Sequence, residues 1–248
     1  ETVLFRHDKT FYHAPGLFVR FYDSDPLADI QSQAETIAAY SVEYVGQDLS
    51  VEGFALQATG EGDRFAAAVA GVLEVAPRPL VLIAADAAVM AQGLEAAGDT
   101  RPLIYGATEE TWEAFADLAK SHNAPLALSA ATLSALAGLA ERAKAAGVND
   151  LVLDLGARDM HSLLAGNTLM RRLAIKHSVR TLGYPLINFP DECAPTPELA
   201  TLAAAEAIAK YGGFIVIDQF DPARIYPLLV LRDNIYTDPQ EPIQVQPG

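Results

Sequence analysis

Short runs of aliphatic and β-branched residues alternate with longer alanine-rich runs along most of this chain. The short runs are continuously apolar, as in LVLIAAD, whereas the long runs repeat apolar residues every three to four positions. The first pattern predicts buried strands and the second predicts amphipathic helices. The predicted strands are residues 17–23, 51–59, 80–86, 103–108, 126–130, 151–156, 181–189 and 214–220, and the helices after them are residues 26–40, 63–75, 87–97, 109–122, 132–146, 159–177, 197–211 and 225–234.

Eight strand–helix units in series predict an α/β protein that closes into a (β/α)8 barrel of the TIM-barrel type. Strands that are apolar throughout suit a parallel sheet that is buried on both faces. The alternative is an open doubly wound sheet, which often carries a glycine-rich first turn. No G-x-G-x-x-G motif follows the first strand, so the closed barrel is the favoured fold.

Glycine and capping residues mark the expected ends of several helices. Gly98, Gly147 and Gly212 lie where helices should stop, since glycine tolerates the left-handed conformation common after a last turn. Thr108 and Thr196 lie where helices should start, because a threonine hydroxyl can accept a hydrogen bond from the first turn.

Two segments fall outside the repeat. Residues 1–16 alternate polar and apolar side chains, which predicts an N-terminal hairpin that plugs the bottom of the barrel. Residues 238–248 are rich in Pro and Gln and lack helical periodicity, which predicts a linker. The expected division is therefore a hairpin over 1–16, a barrel over 17–237 and a linker over 238–248.

Composition narrows the class of protein. The 248 residues suit one such barrel, and 51% hydrophobic residues can fill its core. A formal charge of −15 disfavours nucleic acid and anionic membranes as partners. No apolar run is long enough to span a bilayer, and residues 1–9 lack the pattern of a signal peptide. Cys193 is the single cysteine, so a disulfide framework is excluded and a cytoplasmic location is expected.

Active sites of such barrels lie at the carboxyl ends of the strands. All five lysines lie elsewhere, which disfavours a Schiff-base aldolase. The last two strand–helix turns lack a glycine-rich run, which disfavours sugar-phosphate substrates. The polar residues expected at the strand ends form an acidic rim: Asp23, Thr59, Asp86, Thr108, Ser129, Asp154, Asn188, Asp191, Glu192, Asp218 and Gln219.

Asp154 and Asp218 each follow an apolar strand core, so both carboxylates are expected to face the barrel mouth. Two interpretations remain open for them. They could bind Mg²⁺ or Mn²⁺ in a metal-dependent lyase, or they could form ion pairs, for which Arg20 in the first strand is an available partner. Cys193 lies near the same rim without a motif that supplies a base, and Tyr105 is expected to be a packing residue.

Longer phrases of the sequence resemble one known family. The stretch VLFRHDKTFYHAPGLFVRFYDSDP at residues 3–26 is similar to the start of the barrel in the large (gamma) subunit of the corrinoid iron–sulfur protein. That protein belongs to the acetyl-CoA synthase/CO dehydrogenase (acetyl-CoA decarbonylase/synthase) system. The resemblance continues in the same order to the end of the chain, through residues 102–119, 150–167, 183–192 and 212–248.

The resemblance implies a methyl carrier of the acetyl-CoA (Wood–Ljungdahl) pathway of carbon fixation. In the family, a four-cysteine region holds a four-iron four-sulfur cluster, a barrel follows, and a third domain binds a cobalt corrinoid (a cobalamin-type cofactor). The corrinoid takes a methyl group from a methylated pterin through a methyltransferase and passes it to acetyl-CoA synthase. The barrel pairs with the small (delta) subunit in a heterodimer. This chain matches the barrel alone, so the resemblance implies that it holds no cofactor and no catalytic residue, and is a component rather than a complete enzyme.

The barrel also resembles that of pterin-dependent methyltransferases, which bind the pterin through carboxylates and amides at strand ends. Asp86, Asp154 and Asn188 occupy comparable positions and form the expected substrate-binding site, either active or vestigial. The fourth strand ends in YGAT at residues 105–108, without the Asn expected there. An active methyltransferase that binds methyltetrahydrofolate or a methanopterin is therefore the alternative to a carrier scaffold.

Overall fold

The structure, a computed structural model, describes residues 13–236 of the chain. Residues 1–12 of the expected hairpin and the whole expected linker lie outside this part, so both stay predictions. The strands are β1 (Gly16–Tyr22), β2 (Val42–Tyr44), β3 (Gln47–Leu49), β4 (Gly53–Gln57), β5 (Leu80–Ile83), β6 (Leu103–Ala107), β7 (Leu126–Ser129), β8 (Leu151–Asp154), β9 (Leu186–Asn188) and β10 (Gly212–Ile217). The helices are α1 (Leu27–Ala39), α2 (Gly62–Val75), α3 (Ala87–Ala97), α4 (Trp112–Ser121), α5 (Leu133–Ala145), α6 (Met160–Lys176), α7 (Pro190–Cys193), α8 (Pro197–Ala209) and α9 (Pro222–Tyr236).

Eight parallel strands close into a barrel in the order β1-β10-β9-β8-β7-β6-β5-β4. Strand β1 makes the closure, because it pairs with β10 on one side, where Gly16 lies opposite Phe214, and with β4 on the other. The predicted (β/α)8 barrel is confirmed, and the open sheet is excluded. The strands stop earlier than predicted, since residues such as Asp86 begin the next helix instead of extending the strand.

A small antiparallel hairpin of β2 and β3 lies between α1 and β4, where no element was predicted. Its two-residue turn places Val45 and Gly46 at φ 51° and 79°. Positive φ at both central positions gives the right-handed twist that a two-residue hairpin needs. The sequence signal is weak because each strand has three residues and valine is unusual in such a turn.

Side chains along the barrel strands alternate between two apolar clusters. One cluster fills the barrel interior and the other lies between the strands and the surrounding helices. Because side chains two positions apart share a face of a strand, a polar residue two positions after an interior residue points into the barrel mouth. The interior cluster consists of Phe18, Ala55, Val81, Ile83, Leu103, Ala127, Val152, Ile187, Phe189 and Val216.

Helix ends follow the capping rules, with two corrections. Thr196 caps α8 as predicted, because its side chain accepts a hydrogen bond from the Leu199 amide. Thr108 does not start α4; Thr111 occupies the N-cap position and its hydroxyl instead donates to the Gly106 carbonyl. Helix α8 ends at Ala209, and Tyr211, not Gly212, has a left-handed φ of 69°. Within residues 13–236, no helix combines the length and apolar character needed to cross a membrane.

Gly106 lies at an irregularity in β6, where the register with β7 shifts between Tyr105 and Ala107. Its φ is +154°, and a Cβ atom there would lie 1.9 Å from the carbonyl oxygen of Ala84 and 2.6 Å from the Phe115 ring. Only glycine has both the conformational freedom and the small size for this position. The irregularity keeps Tyr105 on the interior face while the chain turns toward α4.

Arg232 on the last helix connects the end of the described chain to the start of β1. Its guanidinium donates to the Pro15 carbonyl at 3.3 Å and to the Ser50 carbonyl at 3.1 Å, and it is ion-paired with Glu52. The other carboxylate oxygen of Glu52 accepts from the Leu17 amide at 2.6 Å. These contacts, made by a guanidinium that is largely buried, hold α9 against the amino-terminal end of the barrel.

Candidate functional site at the barrel mouth

Polar and aromatic side chains line the carboxyl end of the barrel. Each lies two positions after an interior residue, or belongs to the interior cluster, so the strand pleat turns it into the mouth. The expectation that Asp154 and Asp218 face the mouth is confirmed. The set consists of Arg20, Tyr105, Asp154, Phe189 and Asp218.

Arg20 is the central cation of the mouth, with a side chain that is only 4% exposed. Its guanidinium contacts Asp218 at 2.6 Å and Glu192 at 2.6 Å, and Tyr22 donates its hydroxyl to Asp218 at 3.2 Å. The sequence left Asp154 and Asp218 as candidate partners of Arg20. In the structure, Arg20 pairs with Asp218. A buried guanidinium is stabilised in this setting only because its charge is paired on two sides.

Arg158, in the loop between β8 and α6, is the second cation. It contacts Asp154 at 3.0 Å and Glu192 at 2.5 Å, so Glu192 joins the two arginines. Asp154 also accepts from the Tyr105 hydroxyl at 2.7 Å and from the Gly156 amide at 2.7 Å. Tyr105 is thus a hydrogen-bond donor as well as a packing residue, which corrects the expectation from sequence.

The Phe189 ring lies close to both guanidinium groups. The central carbon of Arg20 is 5.5 Å from the ring centroid, that of Arg158 is 5.1 Å away, and Tyr105 meets the ring edge-on at 5.1 Å. Cations near an aromatic face are attracted by its quadrupole, so the ring fixes both guanidinium groups in place.

A third pair extends the network toward α9. The Arg224 guanidinium contacts Asp191 at 2.8 Å, and both side chains are largely buried. The second oxygen of Asp191 accepts from the Asp218 amide at 3.1 Å. Four of the six acids expected at the rim are therefore paired with three arginines, Arg20, Arg158 and Arg224.

Burial and pairing together set the proton affinities in the mouth. Burial lowers the pKa of Arg158, but Asp154, Tyr105 and Glu192 together outweigh burial and raise that pKa above its ordinary value. Burial, and then Asp154, raise the pKa of Tyr105, so its hydroxyl stays protonated and can donate. Burial, together with the nearby Asp191 carboxylate, raises the pKa of Asp218 although Arg20 lowers it. The paired residues therefore act as a fixed ionic network in which the arginines keep their protons.

A family model described as CO dehydrogenase/acetyl-CoA synthase delta subunit matches residues 1–248, which is the whole chain. The chain belongs to this family. It is 37% identical over 247 residues to the corrinoid/iron–sulfur protein large subunit of Moorella thermoacetica, covering 99% of this chain and 55% of that protein. It is 34% identical over 261 residues to the acetyl-CoA decarbonylase/synthase complex subunit gamma of Archaeoglobus fulgidus, covering 100% of this chain and 55% of that protein. The resemblance to the large (gamma) subunit is thereby confirmed, and the chain spans about half the length of these relatives.

Solved structures with a similar fold include dihydropteroate synthases. The enzyme from Thermus thermophilus matches with a TM-score of 0.66 at 18% identity, covering 90% of this chain and 95% of that one. The enzyme from Vibrio fischeri also has a TM-score of 0.66, at 15% identity, covering 92% of this chain and 95% of that one. At these identities the likeness supports the barrel fold alone.

In this member of the family, the structure does not bring the three predicted pterin-binding residues together. Asp154 lies in the mouth, but Asp86 is exposed and accepts from the Ala88 amide as the N-cap of α3. Asn188 lies between the interior residues Ile187 and Phe189, so it points out of the barrel, where it exchanges hydrogen bonds of 3.2 and 3.3 Å with Asn167 on α6. Pterin binding through these residues stays a prediction.

The metal hypothesis required Asp154 and Asp218 to coordinate one cation. Each instead lies within 3.0 Å of an arginine nitrogen, Asp154 of Arg158 and Asp218 of Arg20. Within residues 13–236, no group of three or more His, Cys, Asp or Glu side chains is placed to hold a metal ion. A divalent cation would have to displace positive charge that is already in place, which is electrostatically unfavourable.

Arg158 and Phe189 are the mouth residues that sequence reasoning missed. Arg158 follows Asp154 by four positions, a spacing that usually indicates a pair on one helix face. Here the pair spans a loop that contains Gly156 at φ +70°. The four-residue spacing therefore indicates the correct partners, although no helix connects them. The signal for Phe189 was its position two residues after an interior strand residue, which predicts that it faces the mouth.

The thiol of Cys193 should be nearly unreactive in the folded protein. Cys193 is buried, its sulfur lies 3.5 Å from the Ala157 carbonyl oxygen, and burial raises the pKa of the thiol to about 11. At pH 8 the thiolate population then falls about 100-fold below that of an ordinary cysteine. We expect a disulfide reagent at pH 8 to react at least about 100-fold more slowly with native than with urea-unfolded protein. Native and unfolded reaction rates within tenfold of each other would contradict this prediction. The variant Cys193→Ser measures the background signal of the reagent.

Proposed function

We propose that this chain is the barrel domain of a corrinoid iron–sulfur methyl carrier that passes a methyl group from a methylated pterin to acetyl-CoA synthase. In this proposal the barrel is a rigid platform, and the reactive metal centres belong to other domains of the full-length protein. Its partners are the small (delta) subunit, a methyltransferase and acetyl-CoA synthase, in the cytoplasm.

The observation that carries the proposal is the similarity of the whole chain to one continuous part of the large subunit of Moorella thermoacetica. The ion-paired mouth favours a scaffold role for the barrel over a catalytic role. The carboxylate of Asp154 already accepts hydrogen bonds from Tyr105, Gly156 and Arg158, so a ligand would have to replace those contacts. Buried polar groups that are fully paired stiffen a fold, whereas catalytic groups need a partner in the substrate.

The cofactors implied by the relatives do not fit the donor atoms of this chain. A four-iron four-sulfur cluster takes four cysteine thiolates, and the chain has one cysteine. That cysteine is buried with its pKa raised to about 11, which disfavours the thiolate that a cluster needs. The proposal therefore assigns the cluster and the corrinoid to the full-length protein outside residues 1–248, and no step of methyl transfer to residues of this chain.

The test compares the full-length gene product with residues 1–248 alone, each prepared without oxygen in the presence of corrinoid. We expect about one corrinoid per full-length chain by visible absorbance, and none retained by the barrel segment. With a labelled methylated pterin and its methyltransferase, label should transfer to the full-length protein and onward to acetyl-CoA synthase. Stoichiometric corrinoid on the isolated segment, or a full-length protein that takes up no label, would disprove the proposal.

The alternative is a pterin-dependent methyltransferase that uses Asp154 in the mouth. We expect calorimetry of the barrel with methyltetrahydrofolate and with methyltetrahydromethanopterin to give no saturable heat up to roughly 1 mM, because Arg158 and Tyr105 occupy the carboxylate. Micromolar binding would favour the alternative if it disappears in Asp154→Ala and persists in Asp117→Ala, an exposed acid on α4.

A further inference from the structure

Two neighbouring cavities lie at the amino-terminal end of the barrel, opposite the mouth. The first, of about 330 Å³, lies between α6, the end of α9 and the starts of β9 and β10. The second, of about 350 Å³, lies where β5, β6 and β10 begin. The two cavities adjoin along β10, because Gly213 lines the first and Phe214 lines the second.

Aromatic rings dominate the lining of the first cavity. It contains the side chains of Tyr184, Tyr211 and Tyr236, and the central carbon of the Arg171 guanidinium lies 5.8 Å from the Tyr211 ring centroid. The Tyr236 hydroxyl donates to the Ile208 carbonyl at 3.0 Å, which holds that ring in place. Rings with fixed positions favour an aromatic occupant, which can meet them edge-on or stacked.

The second cavity adjoins the core of the barrel. Phe18 and Leu103, which line it, belong to the interior cluster, and the Phe18 and Phe214 rings stack with centroids 5.8 Å apart. Pro79 and Pro125 complete its apolar lining. An apolar side chain placed there would extend the core toward the amino-terminal end of the barrel.

Both ends of the described chain lie at the first cavity, since His13 and Tyr236 each line it. Residues 1–12 and residues 237–248 therefore both start within reach of it. Residues 1–12 contain two Phe, one Tyr, one Val and one Leu, whereas residues 237–248 contain three Pro and no aromatic residue. The segment at the start of the chain therefore matches the aromatic lining better.

The alternation of the first segment selects two of its side chains. Phe11 shares a strand face with His13, because residues two positions apart point to the same side. A three-residue turn at residues 7–9 would place Phe5 opposite Phe11 on that face. A hairpin of two strands is only marginally stable by itself in water, so it needs an apolar surface on which to pack.

We propose that residues 1–12 bind to the amino-terminal end of the barrel, with the Phe11 ring in the first cavity and the Phe5 ring against the second. The sequence alone predicted only a hairpin at this end, and the two cavities now supply its binding site. Twelve residues reach at most about 40 Å, which is enough for two short strands and their turn. The inference does not depend on the proposed function.

The test measures amide hydrogen exchange of the full-length protein by mass spectrometry. We expect residues 1–12 to exchange at least about tenfold more slowly than an unfolded peptide of the same sequence. The variant Phe5→Ser/Phe11→Ser should remove this protection. The matched control Leu4→Ser/Tyr12→Ser changes the other face of the segment and should keep the protection within about twofold. Unchanged exchange of β7 in both variants would show that the barrel remains folded.

A substitution in the first cavity tests the other side of the contact. Tyr184→Ser should speed the exchange of residues 1–12 at least about threefold, and should add little in the Phe5→Ser/Phe11→Ser background. Tyr226→Ser is the control, at a residue of α9 that is 43% exposed, and should have no effect.

Two results would overturn the proposal. One is wild-type protein in which residues 1–12 exchange like the unfolded peptide, or keep their protection in Phe5→Ser/Phe11→Ser. The other is a Tyr184→Ser protein in which residues 237–248 lose protection and residues 1–12 do not, which would assign the first cavity to the segment at the other end of the chain.

Discussion

Arg20→Met should lower the free energy of unfolding by about 3 kcal/mol at neutral pH, the largest loss we expect from a single charge removal in the barrel. The guanidinium is 4% exposed and is paired with both Asp218 and Glu192. Its removal leaves two partly buried carboxylates side by side without their shared cation. Asp218 is 25% exposed, so water compensates in part and the loss lies at the low end for a broken buried pair. Urea unfolding at pH 7 measures it.

The pH dependence should identify the unpaired carboxylates as the source of the loss. Burial already raises the pKa of Asp218, and removal of Arg20 should raise that pKa further. An acid whose pKa is raised on folding favours the folded state at low pH and disfavours it once pH rises above that pKa. The gap between variant and wild type should therefore narrow as pH falls from 7 toward 4.

The matched control for this prediction is Arg101→Met. Arg101 is paired with Asp150 at the surface, with side chains that are 49% and 58% exposed. Solvent screens such a pair, so its loss should change stability by less than about 1 kcal/mol. Equal effects of the two substitutions would show that the mouth network contributes no more than a surface pair.

Gly106→Ala should destabilise the barrel by about 3 kcal/mol or more, or prevent folding. The added methyl group would lie 1.9 Å from the backbone oxygen of Ala84, which cannot move without distorting the chain directly after β5, and the residue would hold a φ of +154°. The aromatic ring of Phe115 blocks the other direction. Because β6 carries Tyr105, the distortion should also disturb the hydrogen bond to Asp154.

Gly138→Ala is the control, and it should have the opposite sign. Gly138 lies within α5, and a Cβ atom there would meet nothing within 4 Å. Alanine favours helix over glycine, so we expect a gain of about 0.5–1 kcal/mol. Thermal unfolding of both variants beside wild type is sufficient. A Gly106→Ala protein as stable as wild type would mean that β6 tolerates a side chain at its irregularity.

The barrel could be predicted from the sequence because its signals are repeated and local. Continuous apolar strands and helical periodicity recur with each unit, caps such as Thr196 begin several of the helices, and all agree with one fold. The β2–β3 hairpin escaped prediction because three-residue strands leave almost no period to detect. The prediction that Gly212 ends its helix was wrong because Tyr211 takes the left-handed conformation that glycine usually supplies.

The mouth was less predictable because it depends on which groups meet across the barrel. The facing of Asp154 and Asp218 followed from strand alternation, and Arg20 could be named as a partner. Arg20 pairs with Asp218 because β10 lies next to β1, and this neighbourhood exists only in the closed fold. The sequence also did not show which face of the sheet Asn188 occupies. Strand β9 is too short for its alternation to be recognised, and only the interior position of Ile187 in the structure places Asn188 on the outside.

Closure of the barrel between β1 and β10 has a consequence for synthesis on the ribosome. Arg20 and Asp218 are 198 positions apart, so the first strand emerges long before the partner that completes its pairing. At about 5–20 residues per second, β1 waits roughly 10–40 s for β10. During that interval one edge of β1 offers unpaired backbone groups to other chains, a known route to aggregation. Expression of this barrel should therefore benefit from chaperones that bind early in translation, and the yield of soluble protein should fall if synthesis pauses before β10.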